Sequence, residues 1–323
     1  MTSVSSIFFA LAITLFGLSS ATASIPQPRS REVSIAQPRA TLWTPGLGLK
    51  WEYILNGSIG DIDSSVDVYD VDLYDTSEAD WSALKNAGKS IICYFSAGSF
   101  ENWRADANQF NRSDYGADLP GWAGEFWLDT NSANVRRIMS QRLVDAANRG
   151  CDGVDPDNSK PLSHPLNTIG VLNSRFISAP CLCIRPLTSN IVDAYNNRES
   201  SKLGLTVDTA KDYLTFLNLK AKQLNLAIGL KNGIDLAETV STWLDWQVNE
   251  QCVAPLNKGP DECQSLHFFI DKNKPVFHVE YDEGVPNNVS PATVTKLCDK
   301  TTTAGFSSII KNMQLTKEVV FCQ

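Results

Sequence analysis

The chain has 323 residues, 43% of them hydrophobic, and carries 36 Asp and Glu against 28 Lys and Arg, a formal charge of -8. That length and apolar content suffice for one large core, a size at which α/β barrels fold as single domains. An acidic balance without clustered Lys and Arg excludes a nucleic-acid footprint and suits a cationic partner instead.

Residues 1–23 hold the apolar run from Ile7 to Phe16 followed by Ala21-Thr22-Ala23, the small-x-small pattern of a cleaved secretory signal peptide. The run is too short to span a bilayer. A secreted, extracellular monomer with no membrane contact after cleavage is therefore expected. Residues 24–42, rich in Pro, Ser, Arg and Gln, form a flexible leader, and the folded domain covers 43–323.

From Trp51 onward, short apolar runs alternate with amphipathic stretches, the rhythm of a parallel sheet covered by helices. The predicted strands are Lys50–Leu55, Val66–Leu73, Ser90–Phe95, Phe126–Asp129, Gly153–Asp155, Leu226–Lys231, Trp246–Asn249, Val276–Glu280 and Ser307–Lys311. Helices are predicted over Ala133–Arg149, with Val135, Ile138, Met139, Leu143 and Ala146 on one face, and over Thr209–Leu224. Gly88 and Gly150 stand where helix C-caps are expected. A count close to eight favours a closed (β/α)8 TIM-type barrel, and no Gly-x-Gly-x-x-Gly follows the first strand to hold a dinucleotide.

Eight cysteines in a secreted chain imply disulfides, with Cys252–Cys263 the nearest pair, then Cys298–Cys322 and Cys93–Cys151. Three His and no Cys-x-x-Cys leave no structural zinc motif. The sequons at Asn56, Asn111 and Asn288 are compatible with N-glycosylation, the third weakened by Pro291.

In α/β barrels the working groups stand at the C-terminal ends of the strands. Those positions hold Asp72; Tyr94, Ser96 and Glu101; Asp129; Asp155, Asp157 and Asn158; Lys231 and Asn232; Glu250; and Glu280 with Tyr281. Carboxylates crowded on one rim push their pKa values apart, which allows one acid to stay protonated while another is ionised, as glycosidic cleavage requires. Trp103, Trp122, Trp127 and Tyr281 offer flat faces for sugar rings. Each residue also has a plainer reading. A strand-end Asp commonly caps a turn, Trp127 and Trp246 suit a core, Asp72 in the acidic run Asp67–Asp75 suits solvation, and Glu101 can pair with Arg104.

The ordered motifs Asp67-Val68-Tyr69-Asp70-Val71-Asp72, Ile92 to Ser99, Glu101-Asn102-Trp103-Arg104, Trp127-Leu128-Asp129, Gly153 to Asn158, Gly229-Leu230-Lys231-Asn232, Asn249-Glu250-Gln251-Cys252 and Val279-Glu280-Tyr281 closely resemble the endo-α-1,4-polygalactosaminidases of glycoside hydrolase family 114. The resemblance implies a barrel that cleaves internal bonds of galactosamine chains without a metal or organic cofactor. It casts Asp157 as nucleophile or base and Glu250 as general acid, with Asp155 the second choice in its motif. Asp72, Tyr94, Lys231 and Glu280 become substrate-binding groups. A cationic galactosamine polysaccharide also suits an acidic protein.

The pattern breaks after Asn158. In the family the Asp-Pro-Asp-Asn motif runs almost directly into a Val-Asp-x-Tyr stretch, here Val192 to Tyr195, whereas 159–191 intervenes with four prolines, Cys181 and Cys183. So long a stretch without periodicity is foreign to a compact domain. It reads as an intron retained in frame, the alternative being a lid or binding loop. Two other functions fit the same residues: a catalytically silent polysaccharide-binding barrel, or a glycosidase acting on another glycan.

Overall fold

Strand β1 (Trp51–Ile54) lies beside β2 (Val68–Asp72), with Trp51 opposite Val68 and Ile54 opposite Val71. The computed structural model describes residues 41–119, 122–157, 203–253 and 262–322; the signal peptide, the leader, Asn158 and the segment 159–191 lie outside them. After β2 come α1 (Glu78–Asn86), β3 (Ser90–Ser96), β4 (Ser99–Glu101), β5 (Tyr115–Asp118), β6 (Glu125–Leu128), α2 (Ala133–Arg149) and β7 (Gly153–Asp157). The described chain continues through α3 (Val207–Gln223), β8 (Ala227–Lys231), α4 (Ile234–Val240), β9 (Trp246–Glu250), α5 (Cys263–Ile270), β10 (Val276–Tyr281), α6 (Pro291–Leu297), β11 (Ser307–Lys311) and β12 (Val319–Phe321).

Eight strands run parallel in the order β1-β2-β3-β7-β8-β9-β10-β11, and β12 joins β11 antiparallel. The first and last parallel strands meet through side chains. Trp51 Nε1 donates to the Ser307 carbonyl at 2.7 Å, Ser307 Oγ to the Leu49 carbonyl at 2.6 Å, and the buried Lys311 to Glu52 at 2.7 Å. The result is a nearly closed (β/α)8 barrel.

Eight of the nine predicted strands are these barrel strands. The ninth, Phe126–Asp129, is not; it overlaps β6, the centre of a separate antiparallel sheet of order β4-β6-β5, inserted between β3 and α2. An apolar run of four residues carries no mark of which sheet it joins.

Alternation along the strands sorts side chains between two cores. Trp51, Tyr53, Val68, Ile92, Trp246, Val248, Phe277 and Val279 fill the barrel. Val71, Ile91, Phe95, Val154, Ile228 and Leu230 face the helices. Trp246 sets a local rule: a Cβ on Gly153 or Gly229 would collide with its indole, so the flanking strands β7 and β8 carry glycine there. The indole seals the barrel beneath the polar ends of those strands.

Helix α2 has the bounds predicted for it, is capped by Ser132, which accepts from Asn134 N and Val135 N, and ends at Gly150 with φ 81°. Gly88, at φ 68°, plays the same part after α1. The three expected disulfides are all formed. They close separations of 58, 11 and 24 residues, each worth about 2–4 kcal/mol in the chain-entropy account. Among the described residues no helix is long and apolar enough to cross a membrane.

Candidate active site

The parity that places Val68, Ile92, Trp246 and Val248 inside the barrel also turns Asp70, Tyr94, Asp155, Asp157, Lys231, Glu250 and Tyr281 inward, above the Trp246 seal. At their centre is Lys231, fully buried at the end of β8. Its Nζ lies 2.6 Å from Asp157 Oδ2 on β7 and 3.2 Å from Glu250 Oε2 on β9. Strands β7 and β9 flank β8 on either side, so a cation on the middle strand reaches both.

Glu250 is held by two further donors. Asn232 Nδ2 donates to its Oε2 at 2.9 Å and Tyr281 OH to its Oε1, while the Glu250 backbone N donates to Asn232 Oδ1 at 2.8 Å. Asn232 makes both contacts from a left-handed backbone with φ 50°, a conformation Asn tolerates well. The Glu250 side chain keeps 10% of its surface exposed; that of Asp157 keeps none.

Below this pair, Asp70 and Asp155 are completely buried, and apart from each other neither meets a hydrogen-bond partner among the described residues. Burial first, then the neighbouring Asp157 and Glu250, push Asp155 up to about 8 against the opposing pull of Lys231. Burial and Asp155 push Asp70 well above the usual carboxylate range. Both acids are therefore neutral near pH 7. Lys231 is the reverse case. Burial opposes its charge, but Asp157, Glu250 and Asp155 outweigh it and hold the ammonium above its ordinary range. Burial and then Glu250 raise Tyr281, which keeps the proton it donates. Near neutrality the cluster thus sets one ammonium and a pair of uncharged acids beside Asp157 and Glu250.

Of the predicted residues, Tyr94, Asp155, Asp157, Lys231, Asn232, Glu250 and Tyr281 are brought together. Five others are not, and each corrects its expectation. Glu280 points outward from β10, where its Oε1 accepts from Val253 N at 2.8 Å and contacts His278 Nε2 at 2.9 Å. Trp127 is fully buried against Leu119 and Leu205, leaving no face for a sugar. Asp129 follows β6 in the side sheet and accepts from Asn131 N at 3.0 Å, a turn cap. Asp72 and Glu101 are neutralised in an ionic clamp. Arg104 Nη2 meets Asp72 Oδ2 at 2.7 Å, its Nη1 meets Asp75 at 3.0 Å, and its Nε meets Glu101 at 2.9 Å. Buried Arg142 adds Glu101 at 3.3 Å and Asp106 at 2.8 Å. The Glu101–Arg104 pair read as a surface contact is thus buried.

Ser96 lies opposite Asp157 in the β3–β7 register, with its Oγ 2.6 Å from Ser99 Oγ, which donates to Glu125 Oε2 at 2.6 Å. Sequence reasoning missed Glu125, which burial pushes up to about 8. It also missed Asp70, which stepping back two residues from Asp72 along an alternating strand would have found. Asn158 lies outside the described residues.

Cys252, His278 and Glu280 come within metal-ligand reach of one another on the outer layer, but the Cys252 sulfur is bonded to Cys263 and offers no thiolate.

The family model of glycoside-hydrolase family GH114 matches residues 33–173 and 187–323. The chain belongs to this family. It is a glycoside hydrolase, and the break in the match falls inside the segment 159–191. The structure resembles Aspergillus fumigatus Ega3 in complex with galactosamine, at 36% identity and a TM-score of 0.71, covering 89% of this chain and 100% of that one. The glycoside hydrolase domain of PelA from Pseudomonas aeruginosa shares the fold at 13% identity and a TM-score of 0.54, covering 84% and 97%. No curated protein matches the chain.

Proposed function

We propose that the protein is a secreted endo-hydrolase of α-1,4-linked, galactosamine-containing polysaccharide, and that Asp157 and Glu250 cleave the bond. The observation that carries this reading is the pair of contacts converging on Lys231. The likeness to a galactosamine-bound structure at 36% identity supports the sugar. A non-acetylated galactosamine unit is an ammonium near neutral pH, which suits an acidic protein with carboxylates at the barrel mouth.

The roles follow from access and charge. Asp157 is held ionised by the ammonium of Lys231, as a nucleophile must be. Glu250 retains solvent contact, as a group that exchanges a proton with water in every cycle must. Glu250 gives its proton to the glycosidic oxygen while the C1–O bond breaks and an Asp157 oxygen bonds to C1. Water then attacks C1, passes a proton to Glu250 and releases Asp157. Sharing one nitrogen keeps the facing oxygens inside roughly 6 Å, nearer the ~5–5.5 Å of retaining pairs than the ~6.5–9.5 Å of inverting ones.

The test uses de-N-acetylated galactosaminogalactan with mass spectrometry of the products. The parent protein releases oligomers, and Asp157→Asn or Glu250→Gln lowers the rate by about 10²–10⁴ or more while binding persists. Unchanged hydrolysis in both variants defeats the assignment of the pair. Binding without hydrolysis by the parent favours a silent binding barrel.

A further inference from the structure

Among the described residues three large apolar side chains are exposed: Leu47, Trp103 and Leu219. Leu47 precedes β1, at the end of the barrel away from the acids, and Leu219 lies on α3. Trp103 is the one aromatic of the three, 49% exposed, and follows β4 on the mouth side of the barrel. Among the described residues it belongs to no apolar cluster and makes no ring contact, so the fold gains little from an indole there.

Its backbone is nonetheless fixed. The next residue, Arg104, is clamped by Asp72, Asp75 and Glu101. Asn102 N donates to the Gly124 carbonyl at 3.2 Å, and the Asn102 side chain occupies the space a Cβ on Gly124 would need. An exposed aromatic on a rigid support is what ring stacking requires, because the platform loses little freedom when a ligand arrives.

Strand order gives its position. Arg104 is anchored to Asp72 on β2, four strands round the barrel from Glu250 on β9. A polysaccharide that ran from Glu250 past Asp157 and onward in the strand order would leave the mouth over the β2–β3 rim. Asp75, whose side chain is 66% exposed, stands beside that path on the same Arg104. We propose that Trp103 is the stacking platform of a remote subsite, binding a galacto-configured pyranose ring of the same chain several positions from the cleaved bond. Such a ring presents the hydrogens of C3, C4 and C5 on one apolar face that covers an indole. This inference rests on the proposed substrate.

The experiment compares the parent with Trp103→Ala and Trp103→Phe, all with melting temperatures checked, on the α-1,4-galactosamine trimer and on the polymer. Trp103→Ala lowers the ratio of kcat/KM on polymer to that on trimer about tenfold, through KM, and Trp103→Phe restores most of it. An unchanged ratio overturns the inference, as does an equal loss on both substrates. Should the parent cleave neither, the proposed reaction fails. Polymer affinity then decides for the subsite: it weakens in Trp103→Ala if the inference holds, and it overturns the inference if it is equal or absent in the parent.

Discussion

Two groups of largely buried acids sit at the same end of this barrel and differ in how they are paired. Around Arg104 and Arg142, Asp72, Glu101 and Asp106 find guanidinium partners within 2.7–3.3 Å. Around Lys231, four acids, Asp70, Asp155, Asp157 and Glu250, share one ammonium. In the first group every acid has a guanidinium partner, so the group fixes loops. The second is under-compensated, so two of its acids keep their protons and the remaining pair stays poised for a cation and a proton transfer. Residue type does not separate the groups; the share of acids that meet a cation does.

The largest effect comes from taking away the single cation. Lys231→Met is expected to lower hydrolysis of the polymer about 10²-fold or more, since Asp157 loses the partner that keeps it ionised. Rates on protein verified as folded by circular dichroism check this. Arg104→Met attacks the other group and is expected to cost about 3–5 kcal/mol in urea unfolding, as breaking one side of a buried ionic network does. Its folded fraction keeps kcat on the galactosamine trimer within a few-fold. If Arg104→Met instead abolishes turnover in fully folded protein, the contrast between the groups collapses.

A smaller effect concerns pH. Asp155 has a folded pKa of about 8 against an ordinary 3.8. The folded chain therefore holds a proton that the unfolded chain has released, and the stability tied to this group is full below about pH 4 and declines as pH rises towards 8. Asp155→Asn, which keeps the uncharged shape, is expected to flatten the fall in melting temperature between pH 5 and 8. An identical slope in parent and variant would show that Asp155 is ionised throughout.

Much of this was legible in the sequence. The strand starts and ends around Asp72, Asp157, Lys231 and Glu250 follow from apolar runs closed by polar residues, and α2 from its spacing and its terminal glycine. The disposition of Phe126–Asp129 was not legible, because partner choice lies outside the strand itself. Glu280 was misplaced by one step of parity: it and Tyr281 both end β10, yet the barrel admits only one of them. The clamp on Asp72 depends on Arg104, 32 positions away, a contact that composition cannot reveal.

The segment 159–191 is a separate matter, and we propose that it is a retained intron. Transcript sequencing is expected to find a form joining Asn158 to Asp193 through a single Ile or Met codon, and a single long form would reject it.

The central claim is that the two carboxylates meeting at Lys231 form a retaining pair. It is tested most directly by following the polymer reaction by proton NMR from its first minutes. The α-anomer of the new reducing end is expected to appear first and then mutarotate. Initial formation of the β-anomer, or no new reducing end at all, would contradict the account.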